Sequence, residues 1–173
     1  MADPTLDLPE TAPDVASFAD LRSSEFLPIA LYSLVDISHT TLVDLAKCLE
    51  GETVLGTGDD AIHLIKAAED STMRHASLRE TLDYHIQWCK DHKQQIEAVA
   101  HEEPGVGYLP YGFLAVHDKD WEANGVSLVF VDVEKLFKVT GFRLKTEDVE
   151  RCCASLKDGD ATVEDQRKEY GFK

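Results

Sequence analysis

The chain has 173 residues, of which 43% are hydrophobic, and this is enough for one domain with its own apolar core. Its 17 lysines and arginines against 33 aspartates and glutamates give a formal net charge of −16. That charge repels phosphate, so it argues against nucleic-acid binders and proteins held on anionic membranes, and it attracts basic partners or cationic ligands.

The N-terminal residues are poor in the apolar side chains that a core needs. Residues 1–16 contain three prolines and four acidic residues. We therefore predict a flexible acidic tail that, with a short helical lead-in, occupies residues 1–25. A single globular domain is predicted over residues 26–173.

The sequence contains no recognisable targeting signal. Its start lacks the basic residues and apolar run of a signal peptide, and no apolar run is long enough to cross a bilayer. The four cysteines include no CxxC pair, and the adjacent Cys152 and Cys153 bridge poorly, unlike the disulfide framework of a secreted protein. These features predict a cytoplasmic protein, with the nucleus as the alternative.

The first predicted elements are a strand and a helix. Residues 28–35 are short and apolar on both faces, which indicates a buried strand. Ser38 then opens a helix whose apolar residues lie between Leu42 and Leu49, and Gly51 ends it. A strand, a turn and a helix in this order are typical of layered α and β structure.

The middle of the chain is predicted to be mainly helical. Residues 53–58 are punctuated by glycine and predict a short strand or loop, and residues 59–70 predict a helix. A further helix is predicted over residues 77–101, either as one kinked helix or as two in series. Ser77 and Glu80 have the spacing of a capping box at its start.

The last third of the chain carries the strongest strand signals. Strands are predicted at residues 111–117, 126–133 and 139–144, and helices at 146–158 and 162–170. The Asn124-Gly125 pair favours a hairpin that makes the first two strands antiparallel neighbours, and the third strand is predicted at the edge. The predicted fold class is α+β, with a small, mostly antiparallel sheet of four or five strands covered by helices in a single domain.

A stretch in this third also resembles a known family. Gly112–Val133 (GFLAVHDKDWEANGVSLVFVDV) is followed by GFRL at residues 141–144, a helix and a closing acidic segment. Together, residues 111–170 resemble the C-terminal half of a small α/β domain family of unknown function. The resemblance rests on the strand pattern and the Phe142-Arg143 pair. It implies a topology and no functional residues.

The first candidate site lies on one face of the predicted helix 77–101. His85, Cys89 and His92 are spaced by four and three residues, so they share that face. Such side chains can hold a metal ion, or the cysteine and a histidine can form a nucleophile pair. The alternative is that they belong to a core-facing stripe, which is the more common role of such residues.

The second candidate site lies where the predicted strand 111–117 ends. His117 can give and take protons near neutral pH, and Asp118 or Asp120 can orient its ring. If the hairpin is long and regular, Asp132 lies opposite His117 and becomes its cross-strand partner. The alternative is a polar turn that only caps the hairpin.

Three further features complete the candidate site. The loop at residues 104–112 is rich in Gly, Pro and Tyr and can wall a ligand pocket, although it is also an ordinary connector. Tyr111 can donate a proton, and Arg143 can bind an anion or pair with a structural acid. An enzyme that uses these residues requires His117, Arg143 and this loop to meet in one pocket, and the sequence leaves open whether they do.

The sequence leaves two functions open. One is a cofactor-independent enzyme that applies general acid/base chemistry to a small organic molecule, as an isomerase, cyclase, lyase or hydrolase. The other is an acidic interaction, regulatory or inhibitor module for a basic protein. No Rossmann fingerprint, phosphate-binding loop, HExxH motif, kinase signature or EF-hand loop is present, so neither cofactor nor metal is predicted.

Overall fold

The computed structural model describes residues 3–21, 26–56, 58, 61–69, 72–100 and 107–172. The strands are β1 (Ile29–Ser33), β2 (Val54–Leu55), β3 (Ile62–His63), β4 (Ile65–Ala67), β5 (Gly112–Val116), β6 (Val126–Asp132) and β7 (Lys138–Leu144). The α-helices are α1 (His39–Glu50), α2 (Leu78–Asp91), α3 (Lys93–Ala100), α4 (Trp121–Asn124), α5 (Val149–Asp158) and α6 (Val163–Tyr170). Short 3-10 helices lie at Pro4–Asp7, Pro13–Phe18 and Thr146–Asp148.

Five of the strands form one mixed sheet in the order β4-β1-β5-β6-β7. β1 is parallel to both of its neighbours, β4 and β5, whereas the pairs β5–β6 and β6–β7 are antiparallel. Every residue of β1 and β5 is buried, as expected for parallel strands covered on both faces. The α+β fold class is confirmed, but the sheet is mixed, with two parallel and two antiparallel strand pairs, and not mostly antiparallel as predicted, because β1 pairs in parallel on both of its edges.

Apolar side chains on the two faces of the sheet form two cores. On one face, Leu31 of β1 packs in the cluster that contains the buried apolar residues of α1 and α5. On the other face, Tyr32 packs in the cluster that contains Leu78, Leu82 and Ile86 of α2. Successive residues of a strand point to opposite faces, so β1 contributes to both cores.

The helix predicted at residues 59–70 is wrong. The described part of this segment contains β3 and β4 instead, and residues 59, 60 and 70 lie outside the described residues. In β4, Ile65 and Ala67 are buried while Lys66 between them is exposed, which is the two-residue period of a strand. The apolar residues of so short a segment fit either period, and pairing with β1 decides between them.

The other helices predicted from residue 38 onward are confirmed, and residue 101 lies outside the described residues. Ser38 caps α1 by accepting a hydrogen bond from the Thr41 N–H at 3.1 Å. Ser77 and Glu80 form the predicted capping box of α2. The helical stretch after Ser77 is two helices in series, because α2 ends at Asp91 and α3 begins at Lys93.

Strands β5 and β6 are antiparallel neighbours as predicted, but the connection between them is longer than a two-residue turn. The short helix α4 occupies most of it, and Gly125 follows that helix with φ 71° and ψ −166°. Only glycine adopts this backbone conformation readily. β7 lies at the edge of the sheet, as predicted, where single bridges link Lys138 to Thr11 and Leu144 to Gly171.

Residues 3–18, which we name the N-terminal strap, pack against the domain where the sequence predicted a flexible tail. Val15 and Phe18 are buried, and the Ala12 N–H donates a hydrogen bond to the Phe137 carbonyl at 2.9 Å. The Val139 N–H likewise donates to the Glu10 carbonyl at 2.9 Å. The apolar residues of the strap are few, but the exposed edge at β7 gives them a surface to cover.

Substitution of Gly125 tests how closely the chain before β6 approaches β7. A Cβ atom at Gly125 would lie 2.0 Å from the Leu144 carbonyl oxygen, whereas nothing lies within 4 Å of one at Gly159, whose φ of 72° is nearly the same. We expect Gly159→Ala to lower the free energy of unfolding by about 1–2 kcal/mol through its left-handed backbone. Gly125→Ala should lower the free energy of unfolding by about 2 kcal/mol more than Gly159→Ala does, because the added Cβ atom clashes with backbone atoms.

Urea unfolding followed by circular dichroism measures both free energies. Equal losses in the two variants would contradict the close approach of Gly125 to β7.

Candidate active site

A cleft of about 510 Å³ opens at the end of the sheet where the parallel strands β1 and β5 finish. Its lining includes Leu34 after β1, His117 after β5, residues 75–78 at the start of α2, and Asp3 and Asp7 of the strap. In sheets covered by helices on both faces, ligands characteristically bind outside the carboxyl ends of the strands. The cleft is therefore the candidate active site.

The topology of the sheet creates this cleft. After β1 the chain turns to α1 on one face, whereas after β4 it crosses to α2 on the other, so the two connections diverge. The crossing loop is tied to β1, since the His75 N–H donates a hydrogen bond to the Leu34 carbonyl at 2.9 Å. Arg74 also donates to the Ile37 carbonyl at 2.9 Å. His75 itself has a positive φ of 67°, an uncommon conformation for a non-glycine residue.

His117 is the titratable side chain that β5 brings to the cleft. Its ring is half-buried, and its Nδ1 lies 2.9 Å from the hydroxyl oxygen of Ser127 on β6. Burial lowers the pKa of His117, and the positive charge of Arg143 lowers it further, against opposing effects of Asp118 and Asp3. The imidazole is therefore neutral near pH 7 and able to accept a proton.

Arg143 lies at the same end of the sheet as His117. It is paired with Ser127 in the β6–β7 register, and its guanidinium carbon lies 4.9 Å from the centre of the Phe172 ring. Within the described ranges, no carboxylate lies within 4 Å of this half-buried guanidinium. The arginine that the sequence singled out is thus a cation near the candidate base, although it is not one of the residues that line the cleft.

Asp118 and Asp120 hold the turn after β5. One carboxylate oxygen of Asp118 accepts the Asp120 N–H at 2.8 Å, and the other accepts the side-chain amide of Asn124 at 3.1 Å. Asp120 caps α4 through the Ala123 N–H at 3.4 Å. These contacts form the polar turn that was the alternative to a catalytic role for the two aspartates. The charge of Asp118 nevertheless acts on His117, where it opposes the lowering of the pKa.

Asp132 is not the cross-strand partner of His117. The register pairs Ala115 with Ser127 and Gly112 with Phe130, so Asp132 lies beyond the start of β5. At the strand repeat, this is roughly 20 Å from His117. The prediction assumed a two-residue turn at Asn124-Gly125, and the inserted helix α4 shifts the register.

Tyr111 and the loop at residues 104–112 are also remote from His117. Tyr111 precedes β5 and His117 follows it, which separates them by roughly 20 Å. The Tyr111 hydroxyl donates a hydrogen bond to the Phe18 carbonyl, and burial raises the pKa of Tyr111 to about 12. Residues 107–110 are buried, and residues 104–106 lie outside the described residues. Among the described residues, this loop and His117 therefore do not share a pocket.

His85 belongs to the core. Its Nε2–H donates to the Leu109 carbonyl at 2.9 Å, and its Nδ1 accepts the Tyr32 hydroxyl at 2.8 Å. A carbonyl can only accept, so these two bonds fix a neutral tautomer. Burial lowers the pKa of His85 to about 4.

The other two residues of the predicted metal or nucleophile site are structural as well. Burial raises the pKa of Cys89 to about 12, so its thiol stays protonated although Sγ lies 3.8 Å from His85 Nε2. His92 stacks on Trp88 and donates from Nδ1 to the Trp88 carbonyl at 2.8 Å. In the described part of the chain, no three His, Cys, Asp or Glu side chains are placed to hold a metal ion.

Three residues near His117 were missed by sequence reasoning. Ser127 had a usable signal, because it interrupts an otherwise apolar run from Val126 to Val131. Asp3 and His75 had no such sequence signal, since nothing in their local sequence predicts that they reach the end of β5.

Comparisons with known proteins add no information about the site. A scan against family models and searches of curated proteins and solved structures found no match to this chain. The resemblance of residues 111–170 to a family of unknown function therefore stays a prediction. None of the helices in the described ranges combines the length and apolar character needed to cross a membrane.

The buried histidine predicts an acid-sensitive core. His85 is neutral in the folded protein down to about pH 4, whereas in the unfolded chain it protonates near its ordinary pKa of 6.5. Its contribution to stability is complete above pH 6.5 and is lost as the pH falls toward 4. Over that window, we expect the free energy of unfolding to fall by about 1.4 kcal/mol per pH unit more in the wild type than in His85→Gln.

Urea unfolding at several pH values measures the difference in slope between the wild type and His85→Gln. The comparison cancels the contribution of the many carboxylates, because they titrate in both proteins. His39→Gln, at an exposed position, is the control and should keep the slope of the wild type. Parallel slopes for the wild type and His85→Gln would contradict a neutral His85.

Proposed function

We propose that this protein binds a small organic molecule in the cleft and catalyses a proton transfer, with His117 as the general base. The observation that carries the proposal is a half-buried imidazole that lines a cleft at the carboxyl ends of two parallel strands, with a pKa lowered by burial and by the charge of Arg143. A base that is neutral near pH 7 and partly shielded from water has the properties that proton abstraction requires.

The proposed chemistry uses groups of this chain alone. In the tautomer that this chemistry requires, Nδ1–H of His117 donates to the Ser127 hydroxyl oxygen, and Nε2 takes a proton from the substrate and returns it to another substrate atom or to a leaving group. Arg143 stabilises the negative charge that the substrate gains when the proton leaves. This is acid/base chemistry of the isomerase, cyclase, lyase or hydrolase type, and it needs no cofactor.

The experiment is a screen of small organic molecules by protein NMR. Compounds that bind in the cleft should shift the backbone amides of Leu34, residues 75–78 and His117. Each hit is then incubated in D₂O, and His117→Gln should slow deuterium incorporation into the bound compound by about 100-fold. His39→Gln is the matched control, because it makes the same chemical change at an exposed position on α1.

Two results would overturn the proposal. One is that no compound shifts the amides of the cleft. The other is that deuterium incorporation proceeds equally fast in His117→Gln and in the wild type.

A second candidate function is an acidic module that binds a basic protein in the cytoplasm, and the net charge of −16 favours it. It predicts binding of a lysine-rich peptide that weakens by at least about tenfold from 50 to 500 mM salt, since salt screens such attraction. Fluorescence anisotropy measures this affinity, and His117→Gln should leave it unchanged. Salt-independent binding, or no binding, would count against this candidate.

A further inference from the structure

A histidine and a buried glutamate lie side by side at the end of the sheet opposite the cleft. His63 Nδ1 lies 3.0 Å and 3.2 Å from the two carboxylate oxygens of Glu50, the last residue of α1. His63 belongs to β3, which leads into the start of β4, whereas the cleft lies beyond the carboxyl ends of the parallel strands. The pair is therefore separate from the candidate active site.

The hydrogen bonds of the pair fix which ring nitrogen of His63 remains reactive. The Glu50 side chain is only 4% exposed, whereas that of His63 is 37% exposed. Glu50 also accepts the Ile65 N–H at 3.4 Å. An ionised carboxylate can only accept, so Nδ1–H of His63 donates to it and the lone pair of the neutral ring lies on Nε2. Within the described ranges, no group is hydrogen-bonded to Nε2 of His63.

Stability alone does not account for a carboxylate at residue 50. Removing Glu50 from water is costly, and a negative charge is unfavourable at the last turn of a helix, where the backbone dipole is also negative. Well-packed apolar side chains often stabilise a buried position as well as an ion pair does. What the pair provides in addition is a partly exposed imidazole that is held in one orientation, with one nitrogen left unbonded.

We propose that His63 is a nucleophile toward activated acyl groups, that is, esters or anhydrides with a good leaving group, and that Glu50 is its positioning residue. No hydroxyl or thiol among the described residues is bonded to Nε2, so the ring itself forms the bond to the substrate. Glu50 orients the ring and stabilises the positive charge that the ring acquires when Nε2 forms that bond. This second site goes beyond the function proposed for the cleft.

The proposed reaction has two steps. Nε2 attacks the carbonyl carbon of the substrate, the bond from that carbon to the leaving oxygen breaks, and the leaving group departs with the electron pair. Water then adds to the acyl group on Nε2, the bond between carbon and nitrogen breaks, and its electron pair returns to Nε2. The products are the leaving group, the carboxylic acid and the unmodified imidazole, and the proton that water loses passes to the solvent.

The first experiment measures how fast diethyl pyrocarbonate, an acyl donor, modifies each histidine of the folded protein, with mass spectrometry of the peptides as the readout. His63 should react about tenfold faster than the exposed His39, for which no carboxylate partner is found among the described residues. Glu50→Gln should bring this ratio close to one, because it removes the charge that stabilises the modified ring. Glu52→Gln makes the same charge change at an exposed position two residues away and should leave the ratio unchanged.

The second experiment tests turnover with p-nitrophenyl acetate, by the absorbance of the p-nitrophenolate that is released. All proteins carry Cys48→Ser, because the exposed thiol of Cys48 also reacts with esters. In that background, His63→Gln should lower the protein-dependent rate by about tenfold. His39→Gln, the matched control, should keep the rate.

Three results would overturn the inference. Equal modification rates of His63 and His39 in the wild type would show that the pair does not activate Nε2. An unchanged or increased ratio in Glu50→Gln would make Glu50 a purely structural tie, because a loosened pair exposes the ring and speeds its modification. Ester hydrolysis that is equally fast in His63→Gln and in its parent would show that His63 does not turn the ester over.

Discussion

The parallel pairing of β1 with β4 on one edge and with β5 on the other is the interaction on which the rest of the structure depends. It uses the backbone hydrogen-bonding groups on both edges of β1, and the helices bury both of its faces. Because parallel strands need long crossover connections, the pairing sends α1 to one face and α2 to the other. The same pairing aligns the carboxyl ends of β1 and β5, and the diverging connections leave a cleft there.

The register of the antiparallel strands then determines which side chains lie near His117. Ser127 pairs with Ala115 on one side and with Arg143 on the other, so one serine lies between a histidine that follows β5 and an arginine on β7. A shift of one residue would turn Ser127 and Arg143 to the opposite face. Burial and the charge of the arginine together lower the pKa of His117 and favour its neutral form.

The histidine stripe on α2 shows why residue types alone did not identify the site. His85 and Cys89 face the core, where Tyr32 and the Leu109 carbonyl satisfy both nitrogens of the imidazole. A buried histidine with two hydrogen bonds links α2 to β1 and to the segment before β5. Its role is structural because burial disfavours its charged form, whereas His117 is only partly shielded and borders open space.

The sequence by itself determined most of the local elements, because their signals lie within a few residues. Ser38 and Ser77 mark helix starts through their own side chains, and the apolar runs of β5 and β6 indicate buried strands. Only the tertiary structure decided that residues 62–67 are strands, that the strap packs on the sheet, and that His117 meets Ser127 and not Asp132. These outcomes depend on which strands pair and in what register. That choice is made by contacts between residues far apart in the chain.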